Sequence, residues 1–191
     1  MIFERKELLR FYKMMDGRIK RFVDYDGSPC FLLRHDIDYS LEAAYSLAVF
    51  EKEHDIPSTF FIQLRGPYNP LSKLNSVLIE GIIDMGFEIG IHFDPTLYKD
   101  NLDSRLYDEI YTFETFFGMD IHSVSLHNPS IHGTYPMFDG CVNTYSTELF
   151  EPDRYLSDSL RNFRGKNPFE FIDTLKDKPL QVVLHPIYYM E

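Results

Sequence analysis

Short apolar segments, several of which end in acidic residues or histidine, alternate with amphipathic helical patterns along this 191-residue sequence. Such continuous apolar runs are typical of strands buried on both faces of a parallel sheet. Their alternation with helices predicts an α/β fold with parallel strands. The predicted strands are Cys30–Arg34, Ser58–Leu64, Phe87–His92, Ile121–Leu126, Val142–Tyr145, Arg154–Leu156 and Leu180–Leu184.

Helical periodicity fills most of the intervals between these strands. The first helix precedes the first strand, with Leu8, Phe11, Tyr12 and Met15 on one face and an end near Gly17. The later predicted helices are Leu41–His54, Asn75–Met85, Asn101–Phe117 and Asn167–Leu175. The chain contains no internal repeat or linker, so we expect a single domain over residues 1–191, in which residues 1–29 lead into the sheet.

Composition and charge exclude several classes of protein. A hydrophobic content of 44% is too high for a disordered chain. The net charge of −11 argues against nucleic-acid binding, and no apolar run is long enough for a membrane span. The charged N-terminal segment does not resemble a secretory signal, and Cys30 and Cys141 are too few for a disulfide framework. We therefore expect a cytoplasmic protein.

The segment Phe31–Ser40 concentrates polar chemistry directly after an apolar run. Asp36 and Asp38 are two residues apart, and two neighbouring carboxylates stay ionised together only near a cation or strong hydrogen-bond donors. One interpretation is an aspartate that caps the following helix within a solvated turn. The other is a centre that combines a metal ligand with a catalytic base.

Further polar residues follow the other predicted strands. In parallel α/β barrels, catalytic groups cluster at the carboxyl ends of the strands. This rule predicts one rim that carries Asp36, Asp38, Arg65, His92, Asp94, His127, Asp158 and His185.

Histidine and aspartate without cysteine thiolates form the donor set of a catalytic metal site. A single histidine at a strand end is more often a hydrogen-bonded structural residue, but three of them beside an aspartate pair favour a metal. Such a set suits Zn²⁺ or a similar divalent ion that activates water and polarises a carbonyl. A carboxylate and a histidine beside the metal could then act as general base and general acid in amide or ester hydrolysis.

The motifs RHDID at the first strand end, FEIGIH at the third and VVLHP at the last resemble the polysaccharide deacetylase family, which includes the nodulation chitooligosaccharide deacetylase. The resemblance extends from about Cys30 to Pro186. It implies a deformed, incomplete (β/α)7 barrel over residues 30–186. It also implies a divalent metal at the strand ends and the removal of N-acetyl groups from amino sugars.

The resemblance also assigns roles to residues of this sequence. It implies that Asp36 is the general base and His185 the general acid, while Asp38 and His92 bind the metal. The family has a second histidine four residues after the first, where this sequence has Thr96.

The metal therefore lacks a third ligand, or His127 or Asp94 supplies it. We favour His127, because an imidazole at a strand end points inward, whereas Asp94 lies in a turn that ends in proline.

Arg65, Asp158, Arg161 and Arg164 are predicted to contact the substrate. The segment from Asp158 to Lys166 is the basic patch of an acidic chain. It could be a solvated loop. Alternatively, Arg161 or Arg164 could orient His185 or Asp36, or bind an anionic part of the substrate.

The sequence thus predicts a zinc-dependent deacetylase that acts on an N-acetylated sugar or glycan precursor. One rival is a hydrolase of another non-peptide carbon–nitrogen bond, in a cyclic amide or ureide. The other is a carbohydrate-binding protein whose barrel has lost its chemistry, a reading that the Thr96 departure supports.

Overall fold

The computed structural model describes residues 2–15 and 17–190, and its centre is a parallel sheet. The strands are β1 (Ile19–Lys20), β2 (Phe31–Ile37), β3 (Thr59–Ile62), β4 (Glu88–Phe93), β5 (Ser123–Leu126), β6 (Val142–Asn143), β7 (Tyr155–Ser157) and β8 (Leu180–Leu184).

Seven of these strands form one continuous path in the order β6-β5-β4-β3-β2-β8-β7. The remaining strand, β1, pairs with the beginning of β2, and every pair is parallel. In the described part of the chain β6 and β7 end the path and do not pair with each other. The sheet is therefore a half-barrel, which confirms the predicted incomplete barrel.

Helices cover the outer face of this sheet. They are α1 (Arg5–Met15), α2 (Leu41–Glu53), α3 (Lys73–Asp84), α4 (Leu102–Phe117), α5 (Pro129–His132) and α6 (Pro168–Ile172). The predicted apolar face of α1 is buried as expected. Ser40 begins α2 by accepting a 3.1 Å hydrogen bond from the amide nitrogen of Ala43.

None of the helices within residues 2–15 and 17–190 combines the length and the apolar character needed to cross a lipid bilayer.

The strand β2 differs most from its prediction, because it continues three residues beyond Arg34 to Ile37. It pairs with β3 on one side and with β8 on the other, so its backbone groups are satisfied. Since side chains alternate along a strand, Arg34 and Asp36 share one face and His35 lies on the other.

The two faces of β2 have separate polar partners. Arg34 contacts Gln181 of β8 inside the half-barrel. On the helical side, His35 Nε2 lies 2.8 Å from Glu51 Oε1, and Glu51 also accepts hydrogen bonds from Tyr12 and Ser58. The side chains of this hydrogen-bonded network are fully buried.

Two smaller elements lie outside the predictions. The two-residue strand β1 was not predicted, because Ile19 and Lys20 show no recognisable pattern on their own. The helical turn α5 occupies part of the long loop that was predicted from Ser130 to Gly140, and Pro129 stands at its first position.

Candidate functional site

Three potential metal ligands converge at the carboxyl edge of the sheet. Asp38 follows β2, His92 belongs to β4 and His127 follows β5. Asp38 Oδ1 lies 3.2 Å from His92 Nε2 and 3.3 Å from His127 Nδ1, and the two nitrogens are 3.2 Å apart. These atoms therefore form a nearly equilateral triangle.

The triangle has the dimensions of a metal site. Two ligand atoms bound tetrahedrally to zinc at about 2.0–2.1 Å are about 3.3–3.4 Å apart. Asp38 Oδ1 is buried and makes no well-directed hydrogen bond with the described residues. A carboxylate oxygen and two imidazole nitrogens in this arrangement could hold a divalent ion.

The electrostatics of the three residues also fit a cation. Burial raises the pKa of Asp38, but contacts with His127 and His92 outweigh it and leave that pKa well below its usual value. Burial lowers the pKa of His127, and the contact with Asp38 reverses this effect and raises it. The site thus gathers negative charge and basic nitrogens around one point.

The far side of each histidine ring meets a neutral group. His92 Nδ1 lies 2.6 Å from Ser125 Oγ, and His127 Nε2 lies 2.8 Å from the side-chain nitrogen of Asn128. A metal-bound histidine usually donates its second N–H to an acceptor, a role that the Ser125 hydroxyl can fill for His92. The Asn128 nitrogen is a donor and contacts the second nitrogen of His127. Both rings are therefore held with one nitrogen facing the triangle.

His185 has a charged partner instead. Its Nδ1 lies 2.5 Å from Asp158 Oδ1, and its backbone N–H also donates to Asp158. The hydroxyl of Tyr189 donates to the second oxygen of Asp158. Burial lowers the pKa of His185, but Asp158 more than compensates and raises it to about 9. The other nitrogen of His185 lies 3.6 Å from Asp38 Oδ2.

Asp36 lies inside the half-barrel against a fully buried arginine. Arg34 Nη2 lies 3.1 Å from Asp36 Oδ2 and 2.9 Å from the hydroxyl of Tyr145. Burial lowers the pKa of Arg34, and the charge of Asp36 outweighs this effect and raises it. The other carboxylate oxygen, Asp36 Oδ1, is buried without a hydrogen-bond partner among the described residues.

A small cavity lies between Asp36, Asp38 and His185. Tyr39 and Tyr188 also line it, and its volume is about 10 Å³. A cavity of this size holds about one water molecule. Three titratable groups from two different strand ends thus face the same small space.

Asp94, the alternative third ligand, has a different environment. Its Oδ1 accepts hydrogen bonds from the backbone nitrogen and the hydroxyl of Thr96. This is a cap of the short helical turn Pro95–Leu97. The carboxylate of Asp94 is not part of the triangle, whereas His127 is.

The predicted substrate contacts divide into two groups. Arg65 lies over the ring of Tyr98 and Arg161 over the ring of Phe3, while Arg164 is exposed. Within the described residues, no hydrogen bond or ion pair joins these arginines to Asp36, Asp38 or His185. Asp158 is fully buried behind His185, and its contacts favour a role in orienting that histidine over the predicted contact with substrate.

Sequence reasoning did not assign roles to Arg34, Ser125, Asn128 or Tyr145. Arg34 and Asn128 stand next to predicted site residues, so their positions gave a signal that could have been used. Ser125 lies two residues before His127 and thus on the same face of β5, which is also a readable signal. Tyr145 ends the predicted strand Val142–Tyr145, but β6 stops at Asn143 and Tyr145 lies in the turn that follows it.

Comparison with known proteins gives the fold. The sequence matches no protein-family model and no curated protein. A CE4 family pseudoenzyme from Bacillus anthracis is 14% identical with a TM-score of 0.54, and the match covers 85% of this chain and 56% of that one. A mutant of such a pseudoenzyme with restored enzymatic activity is 16% identical with a TM-score of 0.56, over 85% and 58% of the two chains. This chain thus spans less than two thirds of the length of these pseudoenzymes.

Two further similar structures are a deacetylase and an esterase. The peptidoglycan deacetylase PdaC from Bacillus subtilis is 13% identical with a TM-score of 0.53, over 86% of this chain and 78% of that one. A family 4 carbohydrate esterase from Bacillus anthracis is 18% identical with a TM-score of 0.52, over 94% and 77% of the two chains. At these identities the likeness establishes the fold alone. The half-barrel of this chain is therefore the fold of the family 4 carbohydrate esterases, in which both enzymes and pseudoenzymes occur.

Proposed function

We propose that this protein is a metal-dependent hydrolase that removes the N-acetyl group from an amino sugar or a glycan precursor. The observation that carries the proposal is the triangle of Asp38, His92 and His127, with Asp36 and His185 beside it. The fold supports it, since the similar structures include a peptidoglycan deacetylase. The finer likeness to the nodulation-type enzymes and the cytoplasmic location remain predictions.

In this proposal Asp38, His92 and His127 hold a divalent ion, most simply Zn²⁺. When bound, such an ion polarises an acyl carbonyl and lowers the pKa of a water molecule. Carboxylate and imidazole donors without thiolates suit zinc and similar ions.

Asp36 acts as the general base. It lines the one-water cavity, and its Oδ1 has no hydrogen-bond partner among the described residues, so this oxygen is available to take a proton from water. Arg34 holds the other oxygen. As the water oxygen bonds to the acyl carbon, the proton moves to Asp36.

His185 acts as the general acid. Asp158 engages Nδ1, which directs Nε2 towards the cavity side where Asp38 lies. The carbon–nitrogen bond then breaks, and Nε2 gives its proton to the leaving amine. The products are acetate and a free amino sugar. Arg65, Arg161 and Arg164 remain candidates for contacts with more distant parts of the substrate.

The test is acetate release from a panel of N-acetylated amino sugars, presented free, as oligomers and linked to nucleotides. Activity should require added Zn²⁺, disappear with a chelator, and disappear in Asp36→Asn with the metal still bound. A panel of cyclic amides and ureides tests the rival hydrolase under the same conditions.

A binding protein without chemistry is the second candidate, because pseudoenzymes are among the similar structures. It predicts that the sugars bind, as measured by calorimetry, while no acetate is released from any of them. Stoichiometric zinc in the purified protein, together with turnover, would exclude it.

A further inference from the structure

Leu160 is an exposed apolar residue in an unfavourable backbone conformation at the rim of the half-barrel. It follows β7, its φ and ψ are 59° and 28°, and the next residue, Arg161, also has a positive φ of 54°. Apart from glycine, asparagine and aspartate, residues rarely adopt this left-handed conformation. The Leu160 side chain is 89% exposed, the highest value for a large apolar residue in the described part of the chain. Since the strained conformation gains no packing for this side chain, it points to a function.

The turn that carries Leu160 is anchored on both sides. The backbone N–H of Asn162 donates to the carbonyl of Asp158 at 3.2 Å. Burial raises the pKa of Tyr188, and the backbone N–H groups of Arg161 and Leu160 oppose this rise because they face its hydroxyl. The fold therefore fixes the exposed position of Leu160 and places its backbone beside Tyr188.

Two further exposed residues continue this apolar surface towards the small cavity. Tyr39 follows Asp38 at the end of β2 and is 68% exposed, and Ile187, which follows β8, is also exposed. Both line the cavity together with Tyr188. Since β2, β8 and β7 are neighbours in the sheet, the loops that follow them are adjacent. Tyr39, Ile187 and Leu160 therefore form one apolar rim next to the proposed catalytic groups.

The segment that begins at Leu160 adds positive charge beside the apolar rim. From Leu160 to Lys166 the chain carries three basic residues and no acidic one, although its net charge is −11 overall. Lys166 donates to two backbone carbonyls, and the Arg161 guanidinium lies 5.4 Å from the centre of the Phe3 ring. Arg164 is exposed, and its guanidinium makes no hydrogen bond or ion pair with the described residues. A guanidinium without a partner suits a phosphate group.

The chemistry of this surface indicates its occupant. A second sugar ring would need hydrogen-bond partners for its hydroxyls, and the aliphatic side chains of Leu160 and Ile187 offer none. An aliphatic chain needs only apolar contact, and a phosphate beside it would meet Arg164. We infer that the apolar rim and Arg164 bind the chain and the phosphate of a lipid-linked N-acetylated sugar. The inference rests on the proposed function and names the class of its substrate.

The test compares octyl phosphate with methyl phosphate, which share the phosphate and differ only in the length of the chain. Binding to the metal-free protein is measured by NMR titration, below the critical micelle concentration of octyl phosphate. Octyl phosphate should bind about tenfold more tightly or better, because its additional CH₂ groups leave water. The methyl signals of Leu160 should shift with octyl phosphate and not with methyl phosphate.

Substitutions of Leu160 separate its apolar character from its backbone conformation. Leu160→Asn removes the apolar group, and asparagine accepts the left-handed conformation, so the fold should be retained. The preference for octyl phosphate should then largely disappear, whereas Leu160→Met should keep it. Leu74→Asn, at an exposed leucine of α3, is the matched control and should also keep it. Arg164→Gln should weaken the binding of both phosphates and leave the preference unchanged.

Several results would overturn the inference. One is an equal affinity for the two phosphates, including no detectable binding of either, and another is an unchanged preference in Leu160→Asn, whose backbone amide spectrum establishes that it is folded. Binding to phosphatidylglycerol vesicles that Leu160→Asn abolishes would assign the rim to a membrane surface instead, and the inference would equally be wrong. None of these measurements uses metal, sugar or turnover. A failure of the proposed deacetylation is therefore recognised separately, from the absence of acetate release.

Discussion

Arg34 and Asp36 form an ion pair inside the half-barrel, with Nη2 and Oδ2 3.1 Å apart and side chains that are 0% and 6% exposed. Both residues come from one face of β2. The arginine also lies over the ring of Tyr145, 4.9 Å from its centre. The proposed base is therefore held by a cation that has no access to water.

Removing one partner of this ion pair should cause a large loss of stability, and a second substitution should recover part of it. Arg34→Met leaves the Asp36 charge buried without its partner, which costs about 3–5 kcal/mol in comparable cases. Asp36→Asn in the same chain should restore part of that loss, because the buried charge is then gone. Urea unfolding of the two single variants and the double variant measures the coupling. A loss below about 1 kcal/mol in Arg34→Met would contradict the prediction.

The third metal ligand can be identified by a pair of substitutions. His127→Ala removes one corner of the triangle and should lower Zn²⁺ affinity by about tenfold or more. Asp94→Ala is the matched control, since it removes a carboxylate that caps a turn, and its effect should be much smaller. The reverse order would make Asp94 the ligand. Asp38→Asn should abolish stoichiometric zinc while the protein remains folded.

Substitutions of Asp158 and Tyr189 can separate an effect on the orientation of His185 from an effect on the stability of the protein. Asp158→Asn removes the carboxylate that engages Nδ1, and we expect deacetylation to slow by about a hundredfold or more. Tyr189→Phe removes only a hydrogen bond to the far oxygen of Asp158. It should cost about 1 kcal/mol of stability and little activity. Equal losses of activity in the two variants would contradict the orienting role of Asp158.

Glu109 of α4 should make stability depend on pH. Burial raises the pKa of Glu109, and despite the opposing hydrogen bond from Tyr98 it reaches about 7, against an ordinary value of 4.5. The folded state thus binds a proton that the unfolded state releases, so this contribution is present at low pH and is lost as pH rises to about 7. Between about pH 5.5 and 8.5 the loss amounts to about 2 kcal/mol.

Glu109→Gln should remove this pH dependence, because the amide stays neutral throughout. Urea unfolding at the two pH values, compared between the wild-type protein and the variant, isolates the contribution. Glu114 of the same helix accepts a hydrogen bond from the backbone nitrogen of Ile121, and Glu114→Gln provides a control. If the free energy of unfolding changes equally in the wild-type protein and in Glu109→Gln between the two pH values, the assignment is wrong.

The fold could be predicted because its signals are local. Helix α1 shows its buried face as a regular spacing of apolar residues, and most of the main strands contain a short apolar run. The end of β2 could not be placed, because Arg34, His35 and Asp36 are polar and the partners that satisfy them come from β8 and α2. Polar residues mark a strand end only when such distant partners are absent.

The candidate site was predictable to the extent that it follows strand ends. Asp38, His92 and His127 were selected on that ground, and they converge. Asp158 was predicted to contact the substrate, and in the structure its carboxylate is buried against His185. Burial of a charged residue depends on a partner from another part of the chain, which a local pattern does not reveal.

The opposite polar faces of β2 have a consequence for how the sheet can assemble. Shifting this strand by one residue against its neighbours would turn every side chain to the other face. Arg34 and Asp36 would then meet the apolar side of α2, and Glu51 would lose His35. In most buried strands such a slip exchanges one apolar residue for another at modest cost. In β2 it would leave several buried charged groups without their partners. This strand therefore admits a single alignment, and it fixes the alignment of β3 and β8 with it.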